Sequence, residues 1–411
     1  MKVLHTADWH LGKKFSHRDR EQEHHAVLHW LVQYIITEKI ELLIVAGDIF
    51  DTDNPPNYAR KLYFNFLKQL VNTCCEDIVI VAGNHDSANM LDAPKELLKM
   101  LNVHVVGHIS EDRAAQIIEI RGKEEGTLKA VVGAVPYLRD KDIRKSISGE
   151  TYEERVENLR SGIQQHYQEI ETALKPYQRK NIPVIVTGHL YAAGGDRVEE
   201  RKNTIHLGIG GLGIIKAESF SEDFDYVALG HLHRPQRIDK NRPIWYSGTL
   251  IPLDFSELNY DQVVLTIEFE AKTIVKHQSV KVPLKRKIRT YKGTLEYIKE
   301  KLSNIEDEVE LDTWLKIIVE TTHYLPDLSN DLDEIIQGKP VEIIKLEQSK
   351  TQDTSIDNTA YQNLQSLQDL KEIEVFRMCA QQKGQIETEQ LGELESSFKE
   401  LLGWMQERDV E

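Results

Sequence analysis

The sequence predicts an α/β fold, and three observations carry that reading. Short, nearly continuous apolar runs rich in Val and Ile recur between residues 2 and 270, stretches with helical spacing separate several of them, and unusual polar residues fall directly after the runs. An apolar run that short and without alternation suits a strand covered on both faces. In such folds the functional groups belong in the loops that come after the strands.

Taken in order, "KVLHT" is the first strand, and residues 20–38 come next as a helix with Val27, Leu28, Leu31, Tyr34 and Ile35 at helical spacing. The runs "ELLIVA", "DIVIVA", "VHVVG", "KAVVGAV", "IPVIVT", "DYVALG", "RPIWYS" and "DQVVLTIEF" are the further strands. After Pro283 the pattern changes. "RKIRTYKG", "TLEYIKEKLSNI", "WLKIIVETT", "LPDLSNDLDEII" and "VEIIKLE" read as β-α-β-α-β, a small separate domain. "QSKTQDTSIDNT" is polar and without apolar periodicity, as a linker is. The expected boundaries are therefore 1–283, 284–347, a linker over 348–361, and a helical segment over 362–411. In that last segment Leu364, Leu367, Leu370, Ile373 and Phe376 recur at threefold spacing, and Leu391, Leu394, Phe398, Leu401, Leu402 and Met405 form a second stripe. Two short helices on a polar tether cannot bury both stripes alone; docking onto a partner chain is the expectation, and folding back onto the small domain before them is the alternative.

Composition bounds the function. With 411 residues, 40% hydrophobic and 29% charged, the chain buries a large core and is not disordered. No apolar run approaches a membrane span, and "MKVLHTADWH" meets polar residues too early for a signal peptide, so a soluble cytoplasmic protein is expected. Cys74 and Cys75 are adjacent and Cys379 is alone, which is neither a disulfide framework nor a zinc spacing. The net charge of −16 is uneven: residues 1–285 carry 36 Lys+Arg against 40 Asp+Glu, and the rest carry 15 against 27. Acidity of this kind leaves nucleic acid open as a partner, provided that bound cations or a second subunit help to hold it.

Five of the strands end alike. "KVLHT" runs into "ADWH" with Asp8 and His10, "ELLIVA" into "GDIFD" with Asp48 and Asp51, and "DIVIVA" into "GNHD" with Asn84, His85 and Asp86. "IPVIVT" runs into "GHL" with His189, and "DYVAL" into "GHLH" with His231 and His233. Any one of these alone is an ordinary turn. "GNHD" is stronger, because three adjacent polar side chains after a buried strand need partners that packing cannot give. "GHLH" is stronger again, because residues two apart on an extended segment offer both imidazoles to one place. Imidazole, carboxylate and amide oxygen without thiolate suit Mn²⁺, Fe or Zn²⁺ better than Ca²⁺. Two such ions sharing a carboxylate are the machinery of phosphoester hydrolysis.

The series D-x-H, GDIFDT, GNHD, GH and GHLH, in this order and spacing, resembles the calcineurin-like metallophosphoesterases, and in particular their DNA-nuclease subunits. The likeness spans residues 1 to about 283. It implies a two-sheet sandwich flanked by helices, followed by a small α+β capping domain and C-terminal helices. It also implies that one metal takes Asp8, His10, Asp48 and His233, and the other Asp48, Asn84, His189 and His231, with Asp48 bridging. His85 is similar to the family's general acid, and Asp86 is expected to accept its other imidazole N–H. Archaeal relatives carry a histidine where this chain has Asp51, so no role carries over to that position. The resemblance further implies two divalent ions, expected to be Mn²⁺, and cleavage of DNA from 3′ to 5′ on duplex ends and internally on single strands and hairpins. As partner it implies an ABC-type ATPase with a long coiled coil that contacts the C-terminal helices, with the nuclease itself a homodimer in a larger complex. Lys13, Lys14, Arg18, Arg20, Arg139, Lys141, Arg144 and Lys145 are candidate contacts to DNA phosphates. A phosphatase or nucleotidase for a small molecule could use the same metal set, and a non-catalytic scaffold could keep the fold; the basic runs and the complete ligand set favour the nuclease.

Overall fold

The computed structural model describes residues 1–122, 126–143, 151–193, 215–305, 310–322 and 325–350, together with Leu394 and Phe398. The expected DNA contacts Arg144 and Lys145 lie outside the described residues, as do both C-terminal stripes apart from Leu394 and Phe398, which are helical. The chain divides into two units, residues 1–350 and 351–411.

The strands of the first unit begin with β1 (Lys2–Thr6), β2 (Leu42–Ala46), β3 (Asp77–Val81), β4 (Val103–Val106), β5 (Ile117–Arg121), β6 (Leu128–Ala134) and β7 (Val184–His189). They continue with β8 (Ala192–Ala193), β9 (Ile215–Lys216), β10 (Tyr226–Gly230), β11 (Gln236–Arg237), β12 (Ile244–Tyr246), β13 (Val263–Glu270) and β14 (Thr273–Lys281). Among the described residues they form two large sheets, ordered β14-β13-β1-β2-β3-β4 and β11-β12-β10-β7-β6-β5, beside a short pair of β8 with β9. The inner strands run parallel, whereas β13, β14, β5 and β11 pair antiparallel.

The two sheets face each other. Val3, Leu42, Ile44, Val79 and Val81 of the first meet Ile120, Val132, Ile185, Tyr226 and Ala228 of the second in one apolar layer. Outside the first sheet lie α1 (Glu21–Glu38) and α2 (Asn57–Leu70), with α3 (Ala88–Asp92) and α4 (Lys95–Lys99) near β4. After α5 (Asp140–Ile143), the long α6 (Tyr152–Gln178) covers the second sheet with Ile163, Tyr167, Ile170 and Leu174. This layering explains the unbroken runs: every residue of β2 and β3 is buried, one face under helices and the other against the second sheet. α6 begins at a capping box, with Thr151 and Glu154 each satisfying the other's backbone N–H.

The capping domain consists of β15 (Arg286–Gly293), α7 (Leu295–Ser303), β16 (Leu311–Thr321), α8 (Leu328–Ile336) and β17 (Val341–Lys350), a parallel β15-β16-β17 sheet. Ile298 and Leu302 of α7 and Leu328 and Leu332 of α8 pack on Leu315, Ile317 and Val319 of β16. β17 continues to Lys350, so residues 348–350 are strand and not linker. Polar as it is, Gln348 closes the end of the sheet, donating to the Leu325 carbonyl and accepting from the Leu325 N–H, both at 2.9 Å.

A buried charge cluster joins the capping domain to the sandwich. Glu23 Oε1 accepts from Arg20 Nε at 3.2 Å and from Arg286 Nε at 3.0 Å, and the Arg286 guanidinium lies 4.0 Å over the Trp314 ring. Glu342 accepts from Arg18 at 2.8 Å and from the Trp314 indole at 3.0 Å. Glu23→Ala strands two buried guanidiniums and is expected to destabilise the fold by about 3–5 kcal/mol. Urea unfolding checks this, and a loss under about 1 kcal/mol would mean that water already solvates the cluster.

Candidate metal centre

β1, β2 and β3 of the first sheet and β7 and β10 of the second deliver their C-terminal ends to one place. The loops after β1 and β2 are zipped together by backbone bonds, Asp8 N–H to Gly47 O and His10 N–H to Asp48 O at 3.0 Å each, and Leu11 N–H to Ile49 O at 2.9 Å. Asp8, His10, Asp48 and His231 all have positive φ, at 51°, 44°, 50° and 104°. Left-handed backbone at four non-glycine residues is costly and collects where a site requires it. Two glycines make the close approach possible. A Cβ on Gly47, itself at φ 87°, would fall 2.3 Å from His189 Nδ1, and one on Gly83 would fall 2.1 Å from Asp48 Oδ1.

The side chains converge. Asp8, His10 and His233 bring one ligand atom each within 4.8 Å of one another, as do Asp8, Asp48 and His189. Asn84 Oδ1 lies 3.0 Å from both His189 Nε2 and His231 Nδ1, and Asp48 Oδ2 lies 3.3 Å from His189 Nε2 and 3.5 Å from His10 Nε2. Asp8, His10, Asp48 and His189 are each at most 2% exposed. His10 Nε2 is buried without a hydrogen-bond partner, facing two carboxylates. A lone pair left that way in a nitrogen- and oxygen-rich cradle fits a divalent cation.

The electrostatics agree. Burial raises the Asp8 carboxyl above its ordinary range, against the pull of His189 and His233. Burial pushes Asp48 up as well, yet His189, His10 and His85 outweigh it and hold that carboxyl below its range. Burial would lower His189, but Asp48, Asp8 and the Ala46 carbonyl raise it to about 9. His231, buried beside His189, is pushed down to about 3. Both carboxylates are buried beside imidazoles, and positive charge close to them is what favours their ionised forms.

Further groups orient the imidazoles. Asp51 Oδ1 lies 3.2 Å from His10 Nδ1, Glu257 Oε1 lies 2.6 Å from His233 Nδ1, and the Ala46 carbonyl lies 2.9 Å from His189 Nδ1. In each case the Nε2 atom is turned inward. Glu257, on a 3₁₀ turn over Phe255–Asn259 and far along the chain, carries no motif that would have singled it out.

His85 stands exposed at the rim, its ring 4.8 Å from that of His10 and its backbone N–H on Asp48 Oδ1 at 2.9 Å. Its Nδ1 meets the Asp51 backbone carbonyl at 2.8 Å, not Asp86. The expectation for Asp86 is thereby corrected. Its carboxylate is buried and accepts the N–H groups of Gly83, Ile49 and Phe50 at 2.8, 3.2 and 2.9 Å, which ties the second and third loops together. Burial and the nearby Asp48 raise its pKa to about 7, although those three donors oppose the shift.

The basic candidates separate. Arg20 is 2% exposed, bonded to Glu23 and to the Pro252 carbonyl, and is no DNA contact. Arg18 is exposed but engaged by Glu342 of the capping domain. Lys13 reaches Asp51 at 3.1 Å while remaining 36% exposed, and Lys14 is exposed beside Asp19. Half-buried Arg139 donates to the Asp86 carbonyl at 3.3 Å, and Lys141 is exposed. Arg234, exposed next to His233 and 5.7 Å from the Tyr260 ring, is a further cation that the sequence runs did not mark.

A two-sheet sandwich with this donor set at its strand ends defines a calcineurin-like phosphoesterase, and that family matches residues 1–235. The Type 5 capsule protein repressor C-terminal domain matches residues 284–384. The chain is 35% identical over 378 residues to SbcD, the SbcCD nuclease component of Escherichia coli K12, covering 92% of each. It is 34% identical over 294 residues to SbcD of Rhodobacter capsulatus, covering 70% of each, and 34% identical over 271 residues to SbcD of Bacillus subtilis, covering 65% of this chain and 66% of the other. The chain belongs to the SbcD family of nucleases and is a metal-dependent phosphodiesterase. Among the described residues no helix is long and apolar enough to cross a membrane.

Proposed function

We propose that the chain hydrolyses DNA phosphodiester bonds with two Mn²⁺ ions, as the nuclease component of a complex with an SbcC-type ABC ATPase in DNA replication, recombination and repair. Its activities in this reading are 3′ to 5′ exonuclease on duplex DNA and endonuclease on single strands and hairpins. The observation that carries it is His10 Nε2, buried and unpartnered among carboxylates and imidazoles. Asp8, His10, Asp48 and His233 would hold one ion and Asp48, Asn84, His189 and His231 the other. Bound there, the ions would supply polarisation of the phosphoryl group and acidification of the attacking water.

The chain's own residues do the rest. His85 gives the Asp51 carbonyl its Nδ1–H, so a protonated ring directs its Nε2–H outward, toward a departing 3′ oxygen. Asp86 keeps the loop of His85 in place. Lys13, Lys14, Arg139 and Lys141 contact backbone phosphates. Residues 1–283 are the nuclease domain and 284–350 the capping domain. The amphipathic segment over 362–411 carries the ATPase contact, supported by its two apolar stripes. We place the protein in the cytoplasm and read it as a homodimer; the exposed Leu97 of α4, with Met100 and Leu101 just after it, supports the dimer.

The test is incubation of the chain, with and without SbcC and ATP, with hairpin DNA, linear duplex and p-nitrophenyl phosphate esters in Mn²⁺. DNA cleavage stimulated by SbcC and ATP is expected, and turnover confined to the small ester would refute the reading. A chain truncated after Lys350 is expected to keep hairpin cleavage and lose co-purification with SbcC. Undiminished co-purification would show that the helices are not the contact.

A further inference from the structure

Asp51 is held at three points. Its N–H donates to the Leu11 carbonyl at 3.2 Å, its carbonyl meets His85 Nδ1, and its carboxylate lies between His10 Nδ1 and the partly exposed Lys13 ammonium. The backbone bonds fix the loop whatever the side chain is. The carboxylate is therefore free to serve the imidazole, and it does so from the side away from the metal cradle, because His10 Nε2 on the opposite side of the ring faces Asp48.

We propose that Asp51 is a positioning residue for the ion held by His10, and that it makes this site the tighter of the two. A carboxylate accepting one imidazole N–H fixes the tautomer and the ring plane, and it makes the other nitrogen a better ligand. His233, assigned to the same ion, is backed in the same way by Glu257. Among the described contacts no carboxylate hydrogen-bonds the outer nitrogen of the other ion's imidazoles: His189 Nδ1 bonds the neutral Ala46 carbonyl, with Asp8 Oδ1 farther off at 3.9 Å, and His231 Nδ1 faces Asn84. The ligands themselves are equally unequal. Asp8 and Asp48 both serve the first site, whereas the second has only its share of Asp48. More negative charge close to the first cation gives a steeper binding energy, and burial keeps solvent from screening it. The two sites therefore fill in order, the His10 site first.

The inference rests on the reading of His10 as a ligand, and calorimetric titration of the metal-stripped full chain with Mn²⁺ tests the two separately. The wild type is expected to bind two ions in two resolved steps. In Asp51→Ala the tighter step weakens by about 10- to 100-fold, the weaker step stays where it was, and the metal-free chain keeps its fold. Asp51→Asn, which keeps an oxygen for the His10 N–H but not the charge, falls between. An unchanged tighter step overturns the proposal. So does complete loss of one ion at all concentrations, which would make Asp51 a ligand, and so does an equal weakening of both steps with a lower metal-free melting temperature, which would make it merely structural. A wild type that binds fewer than two ions defeats the ligand assignment instead.

Discussion

Asp48→Asn is expected to reduce hydrolysis to background and to lower the metal content below two ions per chain, while the sandwich still folds. Asp48 Oδ1 accepts the His85 N–H, and Oδ2 faces both His189 Nε2 and His10 Nε2, so this carboxylate sits between the two donor sets. An amide offers one oxygen and one donor NH₂. The donor would point at a cation or at an imidazole that needs a lone pair, and the charge shared by both ions is lost. Folding is spared because Asp48 comes after β2 in a loop, outside the apolar layer that joins the two sheets. Metal analysis and a hairpin cleavage assay check this result. An active variant, or one with two ions still bound, would remove Asp48 from the bridge.

His85→Ala is expected to lower kcat by about 10² to 10⁴, the range for a positioned proton donor, with both ions and DNA affinity retained. The hydrogen bond of residue 85 to a proposed ligand runs through its backbone N–H to Asp48, which alanine preserves. Its imidazole is exposed and meets the chain through the Asp51 carbonyl, so its removal leaves no buried group stranded. Single-turnover cleavage with saturating Mn²⁺ separates the two effects. A variant that loses an ion would make His85 a ligand and overturn the assignment of the acid.

The parts of the fold legible in the sequence are those buried on both faces. β2, β3, β7 and β10 stand out as nearly continuous apolar runs, and β1 as a shorter one, because sheet and helix both cover them. β5 and β14 are not legible: β5 lies at a sheet edge and alternates in burial, and β14, an edge strand too, is largely exposed. The donors after the five inner strands are legible for the same reason, since polar groups directly after such runs interrupt an otherwise strong pattern. The groups that support those donors are not. Glu257 reaches His233 from a turn 24 residues away, and only the folded chain brings the two together. Asp86 and Arg20 depart from their expected roles because sequence adjacency to His85 and to a basic run says nothing of side-chain direction. Asp86 turns inward to three backbone N–H groups and Arg20 to Glu23.

The most direct test of a two-ion nuclease counts ions and cuts in one titration. The full-length chain, stripped of metal, is brought to equilibrium with rising Mn²⁺, and bound ions per chain are measured alongside the initial rate of cleavage of a DNA hairpin. A two-ion centre predicts two ions per chain and a rate that tracks occupancy of the second, remaining near background while only the first is filled. Full cleavage with one ion bound, or two ions bound without cleavage of any DNA substrate, would contradict it.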